Sequence, residues 1–137
     1  MFSFAQKQNL KFEHLDNTLG LSQNNIICIF QDSRGFMWFG TRDGLNKYDG
    51  YKFTVYKYDA DNSNCLSQNA VYDVKEDAGG NLWIATWGGG LNKFDWKKEK
   101  FTHYKNDPKN PNSLRKDYIS KLLIDENRNI WLATEQG

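Results

Sequence analysis

The sequence is short of the residues that usually announce chemistry. Among 137 residues there are two cysteines, Cys28 and Cys65, two histidines, His14 and His103, and two prolines. Two thiols cannot build a disulfide framework or a four-thiolate zinc site within one chain. No stretch approaches the roughly 18 consecutive apolar residues of a membrane span. Neither sign of charge dominates: 18 Lys and Arg face 17 Asp and Glu, for a net charge of +1. With no basic field to gather phosphate backbones, nucleic acid is excluded as a partner of this segment. The opening Met1-Phe2-Ser3-Phe4-Ala5 lacks the charged start and the long apolar run of an export signal. It fits either the remnant of one, ending in a small residue before Gln6-Lys7-Gln8-Asn9, or an ordinary chain end.

What is abundant is aromatic. Five Trp, seven Tyr and nine Phe make up 15% of the chain, a large supply of flat side chains to bury. Their placement is periodic. Leu21, Leu66 and Leu114 are followed at constant offsets by Asp32, Asp77 and Asp125, by Trp38, Trp83 and Trp131, and by Thr41, Thr86 and Thr134. A period of 45 to 48 residues marks a repeat architecture. Its units are residues 21–65, 66–113 and a partial 114–137, after an N-terminal segment 1–20.

Each complete unit divides into four short strand-like pieces separated by Gly, Asn and Asp. The first are Ile26 to Phe30, Val71 to Lys75 and Ile119 to Leu123; the second are Met37 to Thr41, Leu82 to Thr86 and Ile130 to Thr134. The third are Leu45 to Tyr48 and Leu91 to Phe94, and the fourth Lys52 to Tyr56 and Lys100 to Tyr104. Helical repeats of similar period need 3.6-residue spacing that these pieces lack, and a sandwich has no reason to place one Trp identically in each unit. Four strands per unit define an all-β fold of antiparallel β-propeller blades, about two and a half of them in this chain. Lys11 to Leu15 has the shape of a further fourth strand, expected to close the last blade of a ring.

The shared residues read as structure. A mid-strand Trp is expected between packed blades, where burial contributes roughly 4 to 6 kcal/mol at about 25 cal/mol per Å². Asp32, Asp77 and Asp125 are expected to accept bonds from turn amides, with Gly35 and Gly80 supplying a positive φ. In the third unit Arg128 stands where that Gly belongs, so the turn is expected to shift onto Asn127. The two thiols read as free and on the surface. Nothing pairs the histidines at metal-ligand spacing, and no Gly-x-Ser-x-Gly elbow occurs, so no cofactor, metal or catalytic residue is expected.

Ligand recognition is sought where the units differ. The turn after the second strand holds Arg42, Trp87 or Glu135, and the loop entering each blade holds Gln23-Asn24, Gln68-Asn69 or Lys116-Asp117. Both sets are expected on one face of the ring. Trp87, a flat indole set among glycines, suits a sugar ring; the alternative is that it packs on the next blade's loop.

On these residues the sequence resembles the two-component regulator propeller repeat. The motifs are Gly20-Leu21-Ser22-Gln23-Asn24, Gln31-Asp32-Ser33-Arg34-Gly35-Phe36-Met37-Trp38-Phe39-Gly40-Thr41 and Asp43-Gly44-Leu45-Asn46-Lys47-Tyr48-Asp49-Gly50, echoed by Gly80 to Ile84 and Asn129 to Leu132. The resemblance implies the opening part of a periplasmic sensor of a hybrid histidine kinase, non-catalytic itself. It further implies recognition of oligosaccharide or polysaccharide fragments and signalling, through further blades and a membrane-anchored kinase, to transcription. A propeller lyase or glycan-active enzyme would want a His or metal on the ligand face, and both histidines map to outer strands. A protein-interaction scaffold is the remaining alternative. Open blade faces at both ends lead to a further expectation, a head-to-tail homodimer.

Overall fold

The computed structural model describes residues 10–135. The segment before it, Gln136 and Gly137 lie outside the described residues, and with them the expectation about an export signal. Ten strands form: β1 (Ile26–Gln31), β2 (Met37–Thr41), β3 (Gly44–Tyr48), β4 (Phe53–Tyr56), β5 (Val71–Glu76), β6 (Leu82–Thr86), β7 (Gly90–Asp95), β8 (Lys100–Tyr104), β9 (Ile119–Ile124) and β10 (Ile130–Thr134). They make two four-stranded antiparallel sheets, β1-β2-β3-β4 and β5-β6-β7-β8, and a two-stranded sheet of β9 and β10. Innermost strands β1, β5 and β9 lie side by side, so the sheets are arranged as successive blades.

The repeat extends to the irregularities. Ile26 faces Thr41 but Cys28 faces Gly40, leaving Ile27 as an extra residue; Tyr72 and Ser120 are the extra residues of the second and third blades. Such a bulge bends and twists the inner strand at one end.

Two cores fill the seams. Between the first and second blades lie Trp38, Leu45, Leu66, Val71, Val74, Leu82, Ile84, Phe94 and Phe101. Between the second and third lie Ala85, Leu91, Ile119 and Leu122, with Trp83 packed against them. Each repeat Trp faces the following blade, and its burial records how much of that blade is there. Trp38 is fully buried, Trp83 half-buried against the two-stranded sheet, and Trp131 is 61% exposed.

Each repeat Asp is tied to its Trp. Indole Nε1 donates to Asp Oδ2 at 2.9 Å in all three pairs, Trp38 to Asp32, Trp83 to Asp77 and Trp131 to Asp125. The other carboxylate oxygen accepts turn amides, from Arg34 and Phe36, from Gly79 and Asn81, and from Asn129. Gly35 and Gly80 take φ of 88° and 81°, and Arg128 takes 68° at the same place. The expected shift onto Asn127 does not occur. Arg128 N still donates to Asp125 O at 2.9 Å, so the hydrogen-bonded frame holds the turn and the arginine accepts the left-handed conformation.

A buried polar knot recurs as well. In the first blade Asn46 Oδ1 accepts from Ser22 N, Asn46 Nδ2 donates to Ser22 Oγ, and Ser22 Oγ meets Thr41 Oγ1 at 3.0 Å. Ser67, Asn92 and Thr86 repeat this in the second blade. The knot fastens the loop entering a blade to that blade's second and third strands.

The loops joining blades guard an edge. Asn64, on the way into the second blade, accepts from Phe101 N at 2.8 Å and donates to Glu99 O at 3.0 Å, while His103 Nε2 lies 2.7 Å from Cys65 O. These contacts occupy groups along outer strand β8 that would otherwise stay unpaired.

Lys11 to Leu15 is exposed and pairs with no strand among the described residues. The expectation for the two thiols fails. Neither thiol is on the surface. Cys28 packs against the first seam core, on the side of β1 that faces the second blade, and burial pushes its thiol up to about 11. Cys65 is buried and clasps its own loop: Sγ accepts from Asp59 N and donates to Asp59 O. Ser113 Oγ does the same for Asp107 in the next loop. Both cysteines are free thiols.

Candidate ligand-binding face

The turns after β2, β6 and β10 and the loops entering the blades meet on one face because backbone bonds join them. Gly44 N donates to Asn69 O at 2.8 Å, tying the Arg42-Asp43 turn to the loop entering the second blade. Gly88 N and Gly90 N donate to Asp117 O, tying the Trp87 turn to the loop entering the third. Gly90 is obligatory there: its φ is 75°, and a Cβ would stand 2.3 Å from Tyr104 O. Within blades, Trp87 N donates to Ala70 O and Glu135 N to Tyr118 O.

On this common frame the side chains diverge. Arg42 is exposed. Trp87 is half-buried, stacked on Tyr72 with centroids 5.1 Å apart and meeting Tyr118 edge-on at 5.3 Å. Tyr72 is the bulge residue and Tyr118 begins the next blade, with Tyr118 bridged to Trp87 by a single β-pair. Trp87 therefore does pack on the next blade's loop, and in doing so forms a three-ring wall across the second seam. Glu135, exposed, follows β10. Tyr72 and Tyr118 carry no mark in the sequence, since their partner Trp87 lies 15 and 31 positions away.

The loop residues divide. Asn24 Oδ1 accepts from Asn17 N, Asn69 Oδ1 from Tyr58 N and Asp117 Oδ1 from Asn106 N, so this position fastens the incoming chain in all three units. Gln68 is exposed, its Oε1 accepting from Asn69 N. Gln23 Oε1 is buried with no hydrogen-bond partner among the described residues. Asp32, Asp77 and Asp125 are absorbed in their turns on the opposite end of the blades, and Thr41 and Thr86 in the polar knots. Among the described residues no three His, Cys, Asp or Glu side chains are grouped to hold a metal ion, and no helix is long and apolar enough to cross a membrane.

Repeated four-stranded sheets, seam-facing Trp residues and inner strands side by side define β-propeller blades. Residues 20–43 and 65–88 match the family model of the two component regulator propeller. Histidine kinase P4 of Formosa agariphila is 44% identical over 69 residues, 46% of this chain and 5% of the relative. Among solved structures, the extracellular domain assigned to a hybrid two-component system of B. thetaiotaomicron superimposes with a TM-score of 0.83 at 31% identity, covering 89% of this chain and 17% of that one. Another, assigned to a one-component system of the same organism, gives 0.68 at 25% identity, covering 88% and 17%. The chain thus spans a small part of each relative. It resembles extracellular sensor domains of two-component systems.

Proposed function

We propose that this chain is the ligand-reading part of a periplasmic two-component sensor, which recognises glycan fragments and relays their presence through further blades to a membrane-anchored kinase and so to transcription. The observation that carries this reading is the divergence of side chains on an invariant frame: Arg42, Trp87 and Glu135 occupy one backbone position in three blades. The blade requires no one residue type at that position, and Arg42 and Glu135 stand exposed there, so its chemistry is free to serve a ligand. An aromatic wall with polar neighbours suits a pyranose, whose C–H face packs on rings while its hydroxyls reach amides such as Gln68. The test is calorimetric titration of the purified chain with neutral and acidic oligosaccharides. Binding that is lost in Trp87→Ala, with an unchanged melting temperature, supports the reading; no binding by any of them overturns it.

The open sheet faces favour a protein partner as well. Ile29, between the inward Cys28 and Phe30, is 60% exposed on the first sheet; the cross-strand pair Leu123 and Trp131 is 58% and 61% exposed on the third. In the isolated chain that partner is a second copy docked head to tail. A monodisperse monomer in light scattering at high concentration excludes it.

A further inference from the structure

The three blades carry three different chemistries at the same backbone positions of the candidate face. The first has Ile27 and Arg42, with Ala70 of the next; the second has Tyr72 and Trp87, with Tyr118 of the next; the third contributes Ser120 and Glu135. Two of these sets are held close together. Asn69 O takes the amide that ends the Arg42 turn, and the adjacent Ala70 O takes the amide of Trp87. The turn that carries Arg42 and the residue that opens the aromatic wall are therefore held by neighbouring peptides of one loop.

Charge at this place is uneven. Arg42 is exposed and forms no ion pair among the described residues. Its sequence neighbour Asp43 is already engaged by Lys57 at 2.7 Å, so the arginine is not neutralised from its own turn. Lys116 precedes the loop on which Tyr118 sits. Glu135 is exposed with its amide bonded to Tyr118 O, and the Asp117 carboxylate accepts from Asn106 N. A ring seated on Tyr118, which keeps 41% exposure, has the arginine on the first blade's turn and the glutamate on the third blade's.

We propose that the ligand of this face is an anionic pyranoside, a sugar bearing a carboxylate or a sulfate ester, with its ring on the Trp87 and Tyr118 wall and its acidic group paired with Arg42. This rests on the glycan reading above and narrows it. A planar guanidinium matches a carboxylate or sulfate through two parallel hydrogen bonds, which an uncharged sugar cannot supply. The glutamate on the opposite side fixes the orientation by repelling the acidic group from the third blade.

The experiment titrates the purified full chain with matched probes: oligogalacturonate and sulfated galactan oligosaccharides against neutral galactan and xylan oligosaccharides. The expected result is a salt-sensitive affinity for at least one acidic probe that exceeds the neutral ones by about tenfold or more, a difference of about 1.4 kcal/mol. Arg42→Ala should erase that preference and Arg42→Lys retain part of it, both with the parent melting temperature. Trp87→Ala should weaken acidic and neutral probes alike. Binding of neutral probes as tightly as acidic ones, or a preference that survives Arg42→Ala, overturns the anionic assignment and leaves the glycan reading standing. Binding of none overturns both.

Discussion

Trp38 Nε1 donates to Asp32 Oδ2 at 2.9 Å, with the indole fully buried and the aspartate 4% exposed. One carboxylate thereby closes a turn with one oxygen and anchors a seam residue with the other. Arg34 completes the site, its guanidinium 2.9 Å from the same carboxylate, within reach of Glu76 in the second blade and stacked over Trp96.

Removing either partner should be costly. Trp38→Ala should destabilise the chain by about 3–5 kcal/mol through the cavity it leaves. Asp32→Ala strands a buried indole N–H and takes one of two carboxylates from the partly exposed Arg34, and should cost about 1–3 kcal/mol. Urea unfolding monitored by tryptophan fluorescence measures both; a loss below about 1 kcal/mol for Trp38→Ala would show that the first seam is not the main core.

The corresponding pairs give the acid sensitivity its sign. Burial raises the Asp77 carboxyl, but hydrogen bonds from Asn81 and Trp83 outweigh it and hold the group below the ordinary 3.8. Trp131 and Asn129 lower Asp125 likewise. A folded-state value below the unfolded one means stability that is full above about pH 4 and drains away as pH falls through the folded values. Thermal melts between pH 6 and pH 2 should show this decline, with a shallower slope in Asp77→Asn.

The polar knots should behave as buried networks. Asn92→Ala leaves Ser67 N without its acceptor in a fully buried place, at a cost of about 1–3 kcal/mol. Equilibrium unfolding of Asn92→Ala beside Asn46→Ala tests whether the two blades weigh the knot equally.

At Arg128 a gain is expected. A non-glycine residue in the left-handed region costs about 1–2 kcal/mol, so Arg128→Gly should raise stability by up to about that amount. A lower melting temperature would mean that the arginine side chain contributes more than its backbone loses.

Cys65 and Ser113 do one job with different atoms. Cys65→Ser should therefore keep the loop clasp and melt near the parent, whereas Cys65→Val, which orphans Asp59 N, should lose about 1–3 kcal/mol. Equal losses in both variants would show that the sulfur is needed for its volume rather than its hydrogen bonds.

The blades were legible because their signals are local. Strands β2, β6 and β10 fall at the residues expected, bounded by the Asp turn on one side and the Gly turn on the other. The bulges at Ile27, Tyr72 and Ser120 leave no mark in composition, since the extra residue can be of any type. Ser22 and Asn46 repeat visibly, but 24 positions separate them, so their hydrogen bonds emerge only once strands are paired. The side on which Cys28 lies is hidden for the same kind of reason: alternation along β1 holds, with Cys28 and Phe30 inward and Ile29 exposed, but only the packing of the second blade decides which side is inward. On the candidate face, Arg42 and Trp87 stood out by differing from their equivalents, while Tyr72 and Tyr118 join Trp87 only through packing across a seam.

Asn64 has a wider consequence. With Phe101 N and Glu99 O already taken by one side-chain amide, a strand from another molecule finds that stretch of the second blade's outer rim closed. Sideways addition of sheet to sheet is thereby opposed at this rim, while the seams stay free to take blade upon blade.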